Sequence, residues 1–146
     1  MIPKYHFILA LPFSLVLSLI DVYYTIFFMF GAYLIDIDHY LVYIFTFKEF
    51  SIKKAINFFS NEAFSFAKGN HPTFFLPLHT IESFILTLSI SVYIPSLYFL
   101  FFGMVFHYTL DLCYDYMTFK KFIREFSIIT YLLNPYKFSL RDVNLK

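Results

Sequence analysis

Two long apolar stretches of this sequence, 5–35 and 74–117, carry carboxylates and histidines but neither lysine nor arginine. Of the 21 charged residues in the 146-residue chain, six lie in 48–68 and eight in 120–146. The other seven are Lys4, Asp21, Asp36, Asp38, Glu82, Asp111 and Asp115, and the same regions hold His6, His39, His79 and His107. A carboxylate in apolar surroundings must be protonated, paired or bound to a metal, because leaving it charged and alone costs several kcal/mol. Side chains within these stretches supply no cation, so a bound metal ion is the expectation.

Composition sets the solvent. The chain is 60% hydrophobic and 14% charged, with a mean hydropathy of +0.67. A water-soluble domain carries about 25% charged residues, so this chain reads as membrane-embedded. It is not a disordered segment, a basic nucleic-acid-binding domain or a disulfide-stapled module: Cys113 is the single cysteine. No cleavage signal follows the first apolar run, and the N-terminus is read as retained.

One helix over 5–35 would run about 45 Å, beyond a hydrocarbon core of about 30 Å. A break at Asp21 gives two shorter helices, 5–20 and 22–37. The second stretch breaks at Ile94-Pro95-Ser96 into helices over 74–93 and 96–117. Between these hairpins, Ile52, Ile56, Phe59, Ala63 and Phe66 recur at helical spacing against Lys53, Lys54, Asn57 and Asn61, which predicts an interfacial amphipathic helix. A short helix over 120–133 follows. The expected architecture is all-α: a four-helix transmembrane bundle of two hairpins (1–47 and 71–119), with an amphipathic connector (48–70) and an interfacial tail (120–146). All eleven lysines and arginines fall on the termini and connector, which places those at the cytoplasmic face of a multi-pass cell-membrane protein.

In that topology His6, Asp36, Asp38, His39, His79, Glu82, His107 and Asp111 come to one level of the bundle. Asp36 and His39, His79 and Glu82, and His107 and Asp111 each share a helical face, and Asp115 extends the last by one turn. Were the apolar stretches single spans instead, His79 and His107 would lie about 42 Å apart. Imidazole and carboxylate without thiolate suit zinc first, with manganese or iron as alternatives. Taken singly, each residue has a plain structural role: Asp38 as an N-cap for 40–47, His107 as a satisfied core histidine, Glu82 paired with Lys68, Asp21 in an exposed turn, His71 in a loop.

The segments Lys4-Tyr5-His6-Phe7, Gly31-Ala32-Tyr33-Leu34-Ile35-Asp36-Ile37-Asp38-His39, Leu78-His79-Thr80-Ile81-Glu82 and His107-Tyr108-Thr109-Leu110-Asp111 resemble the membrane-bound metal-dependent hydrolases. These are prokaryotic proteins also described as LexA-binding and inner-membrane-associated. Their pattern is an early His, G-x-L-P-D-x-D-H, H-S or H-x-x-E, then H-x-x-x-D. Ile35 stands where that pattern has proline, and Thr80 where it has serine. The resemblance implies a hydrolase with one or two divalent ions on His6, Asp36, His39, His79, His107 and Asp111. The H-x-x-x-D element is also similar to that of zinc-dependent phospholipases C, which points to a phosphoester or lipid-linked substrate. Glu82 or Asp38 would then act as general base. The alternatives are a non-catalytic metal-binding sensor or carrier, and a membrane scaffold; membrane lipids are the expected surroundings and nucleic acid is not an expected partner.

Overall fold

The structure, a computed structural model, describes residues 3–62, 75–120 and 124–133. Helix α1 spans Pro3–Ser18 and α2 spans Val22–Tyr33. Asp21 turns the chain between them: it is extended, and its side chain accepts a 2.7 Å hydrogen bond from the Tyr23 amide, capping α2. A 3-10 turn at Leu34–Asp36 leads into α3, Ile37–Phe47. Helix α4, Ile52–Asn57, continues as a wider turn over Phe58–Glu62. A second 3-10 turn, Pro77–His79, precedes α5, Ile81–Ser91, and α6 runs over Leu97–Phe119. Helix α7 is Ile128–Leu133.

The helices form two antiparallel hairpins, α1–α2 and α5–α6, joined through their inner members. Helices α2 and α6 make the most extensive contact in the fold and run parallel: Tyr24 stacks on Phe99 at 4.1 Å, and further along both segments the Asp36 carboxylate reaches His107. The backbones touch through Gly31 and Gly103. A Cβ on Gly103 would stand 2.8 Å from the Ala32 amide nitrogen, and one on Gly31 2.7 Å from that of Met104. In lipid, where apolar burial does not drive helices together, such small-residue contacts let dispersion and backbone dipoles do so. Ala10, Phe28 and Ala32 form the buried apolar centre, edged by Leu17, Met29, Phe99 and Phe106.

The parallel inner helices put both hairpin turns at one end and the polar residues toward the other. The turn end is apolar and bare: Leu19 and Tyr93 are each 87% exposed. Two segments, Val22–Phe47 and Leu97–Phe119, are long and apolar enough to cross a membrane, and α1 and α5 are shorter apolar helices. The expected helix over 74–93 is cut back to Ile81–Ser91, about 17 Å by the helix rise. Pro77 opens a separate 3-10 turn, and Thr80, extended at φ −97° and ψ 154°, breaks the helix.

Two amphipathic readings also change. In α4 the buried residue is Ala55, while Ile52 and Ile56 stay exposed; Phe58, opening the wider turn after it, is buried against Tyr43 and Phe47. The predicted tail helix over 120–133 does not form as one unit. Lys120 ends α6 in a left-handed turn at φ 56°, as Lys48 ends α3 at φ 57°, and helix resumes only at Ile128. Ala63, Phe66, Lys68, His71 and Lys121 lie outside the described residues.

Candidate metal centre

The buried interior is polar. His6, Asp38, His79, His107, Asp111, Asp115 and Arg124 are all at most 3% exposed, the reverse of a water-soluble core. Helix α1 brings His6; the turn between α2 and α3 brings Asp36, Asp38 and His39; the turn before α5 brings His79; α6 brings His107, Asp111 and Asp115. The 3-10 turn at Leu34–Asp36 solves a spacing problem. On a regular helix Asp38 would face away from Asp36, but the tightened turn lets both address the same interior.

Four donor atoms converge. One atom each from Asp36, His79, His107 and Asp111 lie within 4.8 Å of one another. His107 Nε2 is 3.2 Å from His79 Nε2, 3.3 Å from Asp36 Oδ1 and 3.1 Å from Asp111 Oδ2. His79 Nε2 is 3.6 Å from Asp111 Oδ2 and 3.8 Å from Asp36 Oδ1. The hairpins thus bring together two histidines that single spans would hold far apart.

The other ring nitrogens set the tautomers. His107 Nδ1 lies 2.9 Å from the Ala32 carbonyl oxygen, which only accepts, so Nδ1 carries the proton. His79 Nδ1 faces Asp38 Oδ2 at 3.0 Å, and the Leu78 amide donates to the same oxygen at 3.0 Å. Both Nε2 atoms therefore present lone pairs to each other and to two carboxylates. Two facing lone pairs call for a cation between them, a proton or a metal ion, in addition to the Arg124 guanidinium that reaches Asp111 Oδ2.

The donor set fits a metal ion. Four ligands in a tetrahedron at about 2.0–2.1 Å from zinc stand about 3.3–3.4 Å apart; the separations that involve either imidazole span 3.1–3.8 Å, and all four atoms lie within 4.8 Å of one another. The carboxylate behind His79 is the usual support for a metal-bound imidazole. Asp38, His39 and His79 form a second close group. Here, however, His39 Nδ1 lies 3.0 Å from Asp38 Oδ1 and His79 Nδ1 the same distance from Oδ2, so one proton satisfies each pair.

The other candidate residues lie around this set. His6 stands beside the four-residue set, its ring stacked on His107 at 3.8 Å. His39, half-buried, turns Nδ1 toward Asp38 and Asp36, at 3.0 and 3.3 Å. Asp38 Oδ1 faces His39 Nδ1, and Oδ2 faces His79 Nδ1 and the Leu78 amide, so its carboxylate orients both imidazoles. Glu82 serves the tail: it accepts from the Ser127 hydroxyl and from the Ile128 amide at 3.0 Å, at the start of α7.

The premise that no side-chain cation reaches these carboxylates is overturned by Arg124. Reading it as part of an interfacial helix hid this, because the extended segment before α7 folds back over the bundle, tied by the Ile81 amide donating to the Phe126 carbonyl at 2.9 Å. Arg124 Nε donates to Asp115 Oδ2 at 3.2 Å and its Nη1 to Asp111 Oδ2. Burial works against the guanidinium charge, but Asp111 and Asp115 outweigh it and hold Arg124 above its ordinary pKa. Among the described residues, Arg124 thus pairs with Asp111 and Asp115, while Asp36 and Asp38 face histidines. No family model, curated protein or solved structure matches the chain.

Proposed function

We propose that the chain is a membrane-embedded, metal-dependent hydrolase of a phosphoester or lipid-linked substrate, like the membrane-bound metal-dependent hydrolases its motifs resemble. The observation that carries this reading is the set of two bare imidazole nitrogens and two carboxylate oxygens spaced for one divalent ion. Zinc suits the donors best. A divalent ion there supplies a water with a pKa lowered toward about 7 and polarises a phosphoryl oxygen.

The chain's own groups do the rest. Asp36, His79, His107 and Asp111 hold the ion. Asp38 and the Ala32 carbonyl keep the two imidazoles deprotonated at Nε2. His39, anchored on Asp38 through Nδ1, keeps Nε2 as the proton acceptor at the half-buried side of the site. An apolar exterior around a polar interior supports multi-pass insertion in a prokaryotic inner membrane, with the lysine-rich end cytoplasmic and the site within reach of a lipid headgroup.

The test is elemental analysis and turnover of the purified protein beside His107→Ala, using phosphatidic acid and an aryl phosphodiester as substrates. The expected result is bound zinc and turnover in the wild type, with loss of the ion and a drop of at least about 100-fold in the variant. Undiminished turnover in His107→Ala overturns the proposal.

A further inference from the structure

We propose that segment 124–133 is a strap whose Arg124 acts as a tethered cation, competing with a divalent ion for Asp111, so that ion binding and strap docking oppose each other. This rests on the metal reading above and adds a regulation of that same site.

Arg124 reaches the donor set itself. Its Nη1 donates to Asp111 Oδ2, the oxygen that stands 3.1 Å from His107 Nε2 and 3.6 Å from His79 Nε2. Its Nε donates to Asp115 Oδ2 at 3.2 Å, one helical turn further along α6. A guanidinium that only balanced charge would be served by a bidentate pair with Asp115. Instead Asp115 Oδ1 is buried without a hydrogen bond, and the guanidinium is split between the two aspartates. A guanidinium and a doubly charged ion at one carboxylate oxygen repel each other strongly in a low-dielectric interior. Each therefore weakens the other's hold, and by the same factor.

Polar grips hold the strap. The Ile81 amide donates to the Phe126 carbonyl at 2.9 Å. Glu82 accepts from the Ser127 hydroxyl, from the Ile128 amide at 3.0 Å and from the Ile129 amide at 3.4 Å. Tyr131 stacks on Phe75 at 4.1 Å, but α7 buries none of its residues, and Ile129, Leu132 and Leu133 are exposed. A segment with so little buried apolar surface opens at low cost. Its grips also fall on the elements that carry the site. Ile81 and Glu82 follow the turn that brings His79, and Asp111 and Asp115 share α6 with His107. Loss of the Arg124 pair at the donor set is thus loss of one of the anchors that keep the strap docked.

The experiment uses the full chain in detergent, with zinc as the probe. Calorimetry gives the zinc affinity of the wild type, Arg124→Gln and Glu82→Ala; the second substitution loosens the strap without touching a metal donor. Hydrogen exchange at the Ile81, Ile128 and Ile129 amides reports docking directly. Zinc is expected to bind both variants at least about 5-fold more tightly than the wild type, and to speed exchange at the three wild-type amides by a similar factor. An affinity unchanged or weaker in folded Arg124→Gln overturns the proposal and leaves the metal centre intact. Tighter binding there without faster wild-type exchange shows a fixed counter-charge and overturns the strap. No zinc on any of the three proteins overturns the metal reading and the strap together. Should Arg124→Gln fail to fold, Glu82→Ala and the wild-type exchange decide, since neither alters the groups at the donor set.

Discussion

Arg124 shows how one residue changes the account of a site. In sequence it closes a basic cluster with Lys120 and Lys121, and a charge in that setting reads as solvated. In the fold it is 3% exposed and bridges Asp111 and Asp115, which lie one helical turn apart on α6. Removing one member of a buried ion pair leaves the other charges uncompensated, at about 3–5 kcal/mol. Arg124→Ala should therefore lower the melting temperature in detergent sharply, and millimolar zinc should restore part of the loss. A melt insensitive to both changes would mean that Asp111 and Asp115 do not depend on this cation. The Glu49–Lys54 pair, at 2.6 Å, is a useful contrast: with Lys54 66% exposed, it is a solvent-screened contact of small worth. Lys54 and the Tyr43 hydroxyl hold the Glu49 carboxyl below its ordinary pKa, so the slight stability it lends is present at neutral pH and fades in acid.

At the scale of elements, the Gly31–Gly103 contact couples the helix pair to the site. Ala32, beside Gly31, supplies the carbonyl that holds the proton on His107 Nδ1. A methyl group at position 103 would press on the Ala32 amide and force α2 from α6. Gly103→Ala is expected to cost about 1–3 kcal/mol by overpacking and to weaken metal affinity about 10–100-fold by shifting that carbonyl. Titration calorimetry with zinc checks the second effect separately from the first. Unchanged affinity would show that the His107 orientation survives a displaced helix. The hairpin break at Asp21 was legible because one helix over 5–35 would outrun a hydrocarbon core and hold a carboxylate near its middle; that Asp21 also caps α2 came from the fold. The shortness of α5 was not, because its loss comes from the conformation of Thr80 and the separate turn at Pro77, which apolar periodicity does not register.

At the scale of the molecule, polar groups lie inside and apolar ones outside. Parallel inner helices place both hairpin turns at the same end. If the bundle crosses the membrane as proposed, cysteines introduced in a Cys113→Ser background by Leu19→Cys and Tyr93→Cys should react with an impermeant maleimide from one side, and Lys53→Cys from the other. Labelling of positions 19 and 93 from opposite sides would overturn the shared orientation of the hairpins.

What the sequence by itself determined is the inventory: a helical chain, more apolar than an ordinary soluble domain, with carboxylates and histidines set in apolar runs. Those properties are local, since composition, helical spacing and turn residues act within a few positions along the chain. Which of these residues meet was decided only by tertiary structure. The 3-10 turn at Leu34–Asp36 aims Asp36 and Asp38 at one interior, and the Gly31–Gly103 approach sets the height of His107 against Ala32. Segment 124–127 returns a cation, Arg124, of the kind the apolar stretches lack. Each depends on a contact between residues far apart in the chain, and no spacing rule within a single helix encodes it.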